Sequence, residues 1–134
     1  MSHPILALQA MLVAALRADA ALAGMLGDAV FDAPPVEKSP PYAVIARHDL
    51  LPRDGDAAPG HEHRLLIHLW VREPSRKALL ALVERVVAVA LASVLDGPEL
   101  RITHRRHERT DTAIDPATGG ARAAVTIRMY SEPI

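Results

Sequence analysis

The sequence predicts an α+β domain: a mainly antiparallel sheet of about four strands, with a long helix and an N-terminal helix packed on one face. Three observations carry this reading. Apolar residues recur at helical spacing near the N-terminus and through residues 78–95, apolar and polar residues alternate over 42–48 and 64–72, and two strand-like stretches close the chain around a Gly-Gly turn. The 134 residues suit one domain, 1–134, with one aliphatic core.

Ser2 and Pro4 mark a helix start, because a hydroxyl caps free N–H groups and a proline in the first turn forfeits no hydrogen bond. Ile5, Leu8, Leu12 and Leu16 then form one stripe, so the first helix covers roughly residues 3–18. Asp19 caps a second short helix, AALAGML, which Gly27 ends. AVFDAPP has room only for a short strand or bend. SPP breaks any helix before Tyr42, and Tyr42 to His48 alternates as a strand. From Arg47 to Arg64, RHDLLPRDGDAAPGHEHR reads as a long polar loop, and loops beyond about 12 residues are uncommon unless they bind something or are disordered. Next, Leu65, Ile67, Leu69 and Val71 take one face of a strand, while Arg64, Leu66, His68, Trp70 and Arg72 take the other.

Pro74 and Ser75 stop that strand and cap a helix expected to reach Leu95, roughly 30 Å long at 1.5 Å per residue, with Gly97 just past its end. Its second half, VVAVALASVL, is apolar nearly all round and needs cover on more than one side, from the first helix or from a neighbouring subunit. Glu84 and Arg85 near its middle argue against a membrane span. LRITHRRHERT and ARAAVTIRMYSE then read as a hairpin joined by DTAIDPATGG, with Ala123, Val125, Ile127 and Met129 facing inward.

The composition excludes several kinds of chemistry. A formal net charge of -1 offers no global attraction to a phosphate backbone or to anionic lipid. Without cysteine there is no disulfide, zinc-thiolate site or thiol nucleophile. The N-terminus lacks the basic region and cleavage segment of a signal peptide and reads as a helix. Ser39, Ser75, Ser93 and Ser131 lie in no Gly-x-Ser-x-Gly elbow, so no enzyme, catalytic residue or cofactor is predicted. His61 and His63 share a strand face, but His68 has the opposite parity and no carboxylate is placed as a third ligand, so no metal site is assigned.

Charge patterning says more. Between Asp49 and Glu62 stand four acids (Asp49, Asp54, Asp56, Glu62) and one base (Arg53), whereas Arg101 to Arg109 holds four arginines and Glu108. These are either two solvated surfaces or two patches that meet between copies in a head-to-tail ring.

An apolar N-terminal helix, VFDAPP, ARHDLLPRDGD, GHEHRLLIHLWVRE, a long helix and a terminal hairpin ending YSEP follow one another in this chain. Together they resemble, over nearly the whole length, the small tail-completion or tail terminator proteins of long-tailed phages and phage-like gene transfer agents. The resemblance implies a structural protein that forms a hexameric ring on the head-proximal end of the tail tube, stops tube growth and joins the tail to the head connector protein. It implies assembly in the bacterial cytoplasm into a virion or gene transfer agent particle, with no membrane partner and with DNA passing through the channel without specific binding. Leu50, Leu51, Arg53, Asp54 and Asp56, with Arg101, Arg105 and Arg109, are then the candidate contacts with a neighbouring subunit or the tail tube. The residues alone leave open a dimeric metal- or ligand-binding α+β domain centred on His61 to His68, or another neck or adaptor component.

Overall fold

The computed structural model describes residues 3–54, 59–95 and 97–134. Its elements run α1 (Pro4–Ala18), α2 (Ala20–Leu26), β1 (Val30–Phe31), β2 (Tyr42–Pro52), β3 (His61–Val71), α3 (Arg76–Ala92), β4 (Leu100–Ile114) and β5 (Ala121–Pro133). The architecture is α+β, and the sheet order is β1-β2-β3-β5-β4. Two features of the sheet differ from the sequence reading. It has five strands rather than about four, and it is mixed, because β1 runs parallel to β2 while the other pairs are antiparallel. The additional strand is the Val30–Phe31 pair within AVFDAPP, and Ala43 N–H extends its ladder by donating to the Ala29 carbonyl at 3.0 Å.

His3 caps α1, its Nδ1 accepting from Ile5 N–H at 3.1 Å, and the expected cap residue Ser2 lies outside the described residues. Leu8, Leu12 and Leu16 of the stripe are buried. The Asp19 carboxylate caps α2 through Leu22 N–H at 3.0 Å, and Gly27 ends it with φ +64°, a conformation that costs a residue with a Cβ. Arg85 of α3 also donates to Asp19 at 2.8 Å, so one carboxylate fixes a helix start and ties two helices together. That guanidinium and the cap hold the Asp19 carboxyl at about 2.

α3 starts as expected, with Ser75 Oγ accepting from Ala78 N–H at 3.1 Å, but stops at Ala92 rather than Leu95. Gly97 therefore does not end the helix. It lies against α1, where an added Cβ would come within 2.6 Å of Met11 Sδ. The cover required by the apolar half of α3 comes from within the chain, because α3 packs on β3, β4 and β5 and against α1 and α2. Leu79, Leu82, Val83, Val86, Val89 and Ala90 are buried there, and the exposed side carries Ala81, Glu84, Arg85 and Ala88. The sheet meets them with Leu65, Ile67, Leu69, Ala123, Val125, Ile127 and Met129, each 1% exposed or less. Fully burying each leucine or isoleucine side chain contributes about 1.5–3 kcal/mol. Among the described residues no single helix is long and apolar enough to cross a membrane.

The opposite face of the sheet carries Arg64, Leu66, His68 and Trp70 from β3 and Arg122, Thr126, Arg128 and Tyr130 from β5. The edge strand β4 shifts register between Ile102 and His104 and again between His107 and Arg109. Such bulges are common at sheet edges, where they twist the strand and blunt further pairing.

Candidate assembly surfaces

Most of the stretch that reads as a long loop is sheet. β2 continues to Pro52 and pairs Asp49 with Arg64, Leu50 with His63, Leu51 with Glu62 and Pro52 with His61. A register shift between Ile45 and Arg47 re-phases the strand, and beyond the two residues of β1 this part of β2 is a sheet edge, where proline is tolerated. Arg53 N–H then donates to the Gly60 carbonyl at 2.8 Å, and Asp54 Oδ1 accepts from Gly60 N–H at 3.3 Å. An added Cβ at Gly60 would come within 2.6 Å of the Arg53 carbonyl, so only glycine fits this close approach. Leu50 and Leu51 are half-buried strand residues on opposite faces, and Arg53 and Asp54 are exposed at the hairpin end. Asp56 lies outside the described residues.

Two polar networks anchor the hairpin base. On the helix side, Gln9 Nε2 lies 3.2 Å from His48 Nδ1, His48 Nε2 2.8 Å from His63 Nδ1, and His63 Nε2 2.8 Å from Ser131 Oγ. One assignment of neutral tautomers satisfies every step: Gln9 donates to His48, His48 to His63 and His63 to Ser131. Burial holds both rings neutral, lowering His48 to about 4 against the opposing charge of Asp49, and His63 to about 3 with help from His48, His61 and His3. The His61 ring centres 6.5 Å from that of His63, and its Nδ1 is buried without a hydrogen-bond partner among the described residues. Among the described residues no group of three or more His, Cys, Asp or Glu is arranged to hold a metal ion.

On the other face, the Glu62 carboxylate is 2% exposed. It accepts from Arg64 Nε at 2.8 Å, the Tyr130 hydroxyl at 3.0 Å and Arg53 Nε at 3.4 Å. Burial alone would raise its pKa, but the Arg64 and Tyr130 hydrogen bonds and the charges of Arg128 and Arg64 hold it below its usual value. The carboxylate is thus ionised, and Arg53 at the hairpin end is tied to it.

The basic segment divides by side. Arg105 turns inward and donates to the carbonyls of Ala90 at 3.2 Å and Ser93 at 2.6 Å, closing the C-terminus of α3. Arg101 pairs with Glu132 at 2.9 Å and Arg109 with Asp111 at 3.3 Å, with both guanidiniums mostly exposed. Glu108, on the second bulge, sits 3.1 Å from Arg128 and 3.6 Å from Arg106. Asp49 pairs with Arg47 at 3.0 Å. Within one subunit the candidate residues fall into two groups, the hairpin end and β4, which β3 and β5 keep apart. His48, the capping role of Arg105 and the Glu62 cluster escaped the sequence reading, and each depends on partners distant in the chain.

The family model described as "Tail completion protein gp17" matches residues 10–132. A chain of a solved structure described as "Virion of native gene transfer agent (GTA) particle" is similar with a TM-score of 0.82 and 24% identity, over 98% of this chain and 99% of that one. At that identity the likeness is one of fold. No curated protein matches the chain. The family match takes in most of α1 and all but the last residue of the sheet, including the hairpin and its buried anchors. The chain therefore belongs to the family of tail completion protein gp17, structural proteins of phage-type tails.

Proposed function

We propose that the protein terminates the tail: it caps the head-proximal end of the tail tube as a hexameric ring, stops tube growth and presents a surface to the head connector. The observation that carries this reading is the family match over residues 10–132. The hairpin of β2 and β3 supports it, because an arm tied by ion pairs and hydrogen bonds at its base is suited to reach a second protein. Leu50, Leu51, Arg53, Asp54 and Asp56 would then make contact with the tube or a neighbouring subunit, and Arg101 and Arg109 with a neighbouring subunit. Arg105 belongs to the same strand, and its contribution would be to hold α3 against that edge. DNA would pass through the channel without specific binding, as acids at a channel wall would discourage it from settling there. The protein would act in the tail or neck of a phage or gene transfer agent particle put together in the bacterial cytoplasm.

Tube protein polymerised in vitro provides the test. Adding this protein in less than stoichiometric amount should freeze tube length, and electron microscopy should show a ring at one end only. Tubes that elongate at an unchanged rate would refute the reading, and binding to the connector without binding to the tube would make the protein an adaptor instead.

A further inference from the structure

The face of the sheet that the helices leave uncovered concentrates arginine. The register sets Arg64 of β3 directly opposite Arg128 of β5, and Arg128 opposite Arg106 of β4, so three guanidiniums stand in one row across neighbouring strands. Like charges directly opposite one another destabilise a sheet. Counter-charges are present, but too few. Arg53 and Arg64 share Glu62, at 3.4 and 2.8 Å, and Arg128 and Arg106 share Glu108, at 3.1 and 3.6 Å. Four guanidiniums thus meet two carboxylates, and two positive charges stay uncompensated within the cluster. Donors are also left over. Arg64 uses only Nε on Glu62, so its terminal N–H groups have no partner among the described residues. Arg106 reaches Glu108 only at 3.6 Å, beyond a hydrogen bond, and its side chain is 62% exposed.

A groove of about 370 Å³ opens at the Arg128 and Arg106 end of the row, lined by Thr103, His104, Arg106, Arg128 and Tyr130. The buried Glu62 carboxylate fixes the Tyr130 hydroxyl at 3.0 Å as well as the Arg64 guanidinium, so this side of the groove is ordered before anything binds. We propose that the arginine row and its groove bind an acidic segment of another protein, with two of its carboxylates paired to the free N–H groups of Arg64 and Arg106. Guanidinium and carboxylate match as planar, two-pronged partners, and tyrosine with arginine is the composition of interface centres. Nucleic acid fits less well. Duplex DNA carries a negative charge about every 1.7 Å, and a polyanion laid across this face would meet Asp49, Asp111 and Glu132, which flank the row on the same side of the sheet. The site lies within one subunit, so the inference goes beyond the tail reading and does not depend on it.

Tetraglutamate, acetylated and amidated at its ends, is the probe. It is titrated at low salt into the isotope-labelled full chain while NMR follows the arginine Nε–H signals. Those of Arg64, Arg106 and Arg128 should shift together and saturate, while those of Arg17 and Arg85 on the helical side stay in place. Arg106→Gln, at an exposed side chain, should weaken binding at least about tenfold, the loss of one charge-assisted pair. Glu108→Gln removes a counter-charge and should tighten binding about threefold, a gain that damage to the fold cannot mimic. Shifts that do not saturate, or a Glu108→Gln variant that binds no better than the wild type, would overturn the proposal. Inorganic phosphate shifting the same signals equally at equal concentration would overturn it in favour of a small-anion site. A five-nucleotide DNA strand, equal in charge to the peptide but binding more tightly, would overturn it in favour of a nucleic-acid surface.

Discussion

His63 has no exposed surface, yet both of its ring nitrogens are engaged, one by His48 and one by Ser131. A neutral ring fits this site and a charged one does not, because a second N–H would face the donor of His48. The linkage follows in sign. Both histidines have folded-state pKa values below the ordinary 6.5, about 4 for His48 and about 3 for His63, so the unfolded chain binds the extra protons between those limits. Stability is therefore complete above about pH 6.5 and falls as pH drops towards 4, by at most about 1.4 kcal/mol per pH unit for each ring. Asp19 adds a loss lower down, as pH falls from its ordinary 3.8 through about 2. Melting temperatures taken between pH 7.5 and 4.5 should decline from about 6.5 downward. His48→Gln should melt lower than the wild type at pH 7.5 and lose less on acidification. A wild-type melting temperature flat from pH 7 to 5 would mean that these rings are not held neutral by burial.

At the scale of elements, α3 shows how a long-range contact decides a boundary. Ser93 leaves the helix with ψ 154°, and Arg105, 12 residues on, takes up the freed carbonyls. Arg105→Met keeps most of the side-chain stem and removes the donors, so it should cost about 1.5–3 kcal/mol, the range for hydrogen bonds involving a charged group. Urea denaturation measures this, and a loss below about 0.5 kcal/mol would show that water caps the helix equally well. The same contrast explains what could be read in the sequence. α2 was legible because its signals, Asp19 and Gly27, are local, and β3 because Leu65, Ile67, Leu69 and Val71 alternate without interruption. The end of β2 was not legible, since Leu50, Leu51 and Pro52 show no alternation and become strand only through their register with His63, Glu62 and His61. Gly97 resembled a helix stop but answers to Met11. At the candidate site, the shared face of His61 and His63 was readable by parity, while His48 joins them through partners 15 and 39 residues away that only the hairpin and α1 bring close.

For the whole molecule, the end of the β2–β3 hairpin can be altered without touching the β4 edge, because β3 and β5 lie between β2 and β4. Among the described residues, Arg53 and Gly60 are the last backbone pair of the hairpin, joined at 2.8 Å, with Arg53 also tied to Glu62. Replacing residues 54–59 by Asn-Gly keeps both ties and supplies a two-residue turn whose twist suits antiparallel strands. Loop-closure entropy varies slowly with length, so monomer stability should change by no more than about 1 kcal/mol, and in the favourable direction. If the hairpin end is the arm that grips the tube, the shortened protein should form its ring yet fail to halt tube growth. A ring that caps tubes as well as the wild type would show that the arm has no partner there, and loss of the ring itself would move the hairpin from the tube to the contact between subunits.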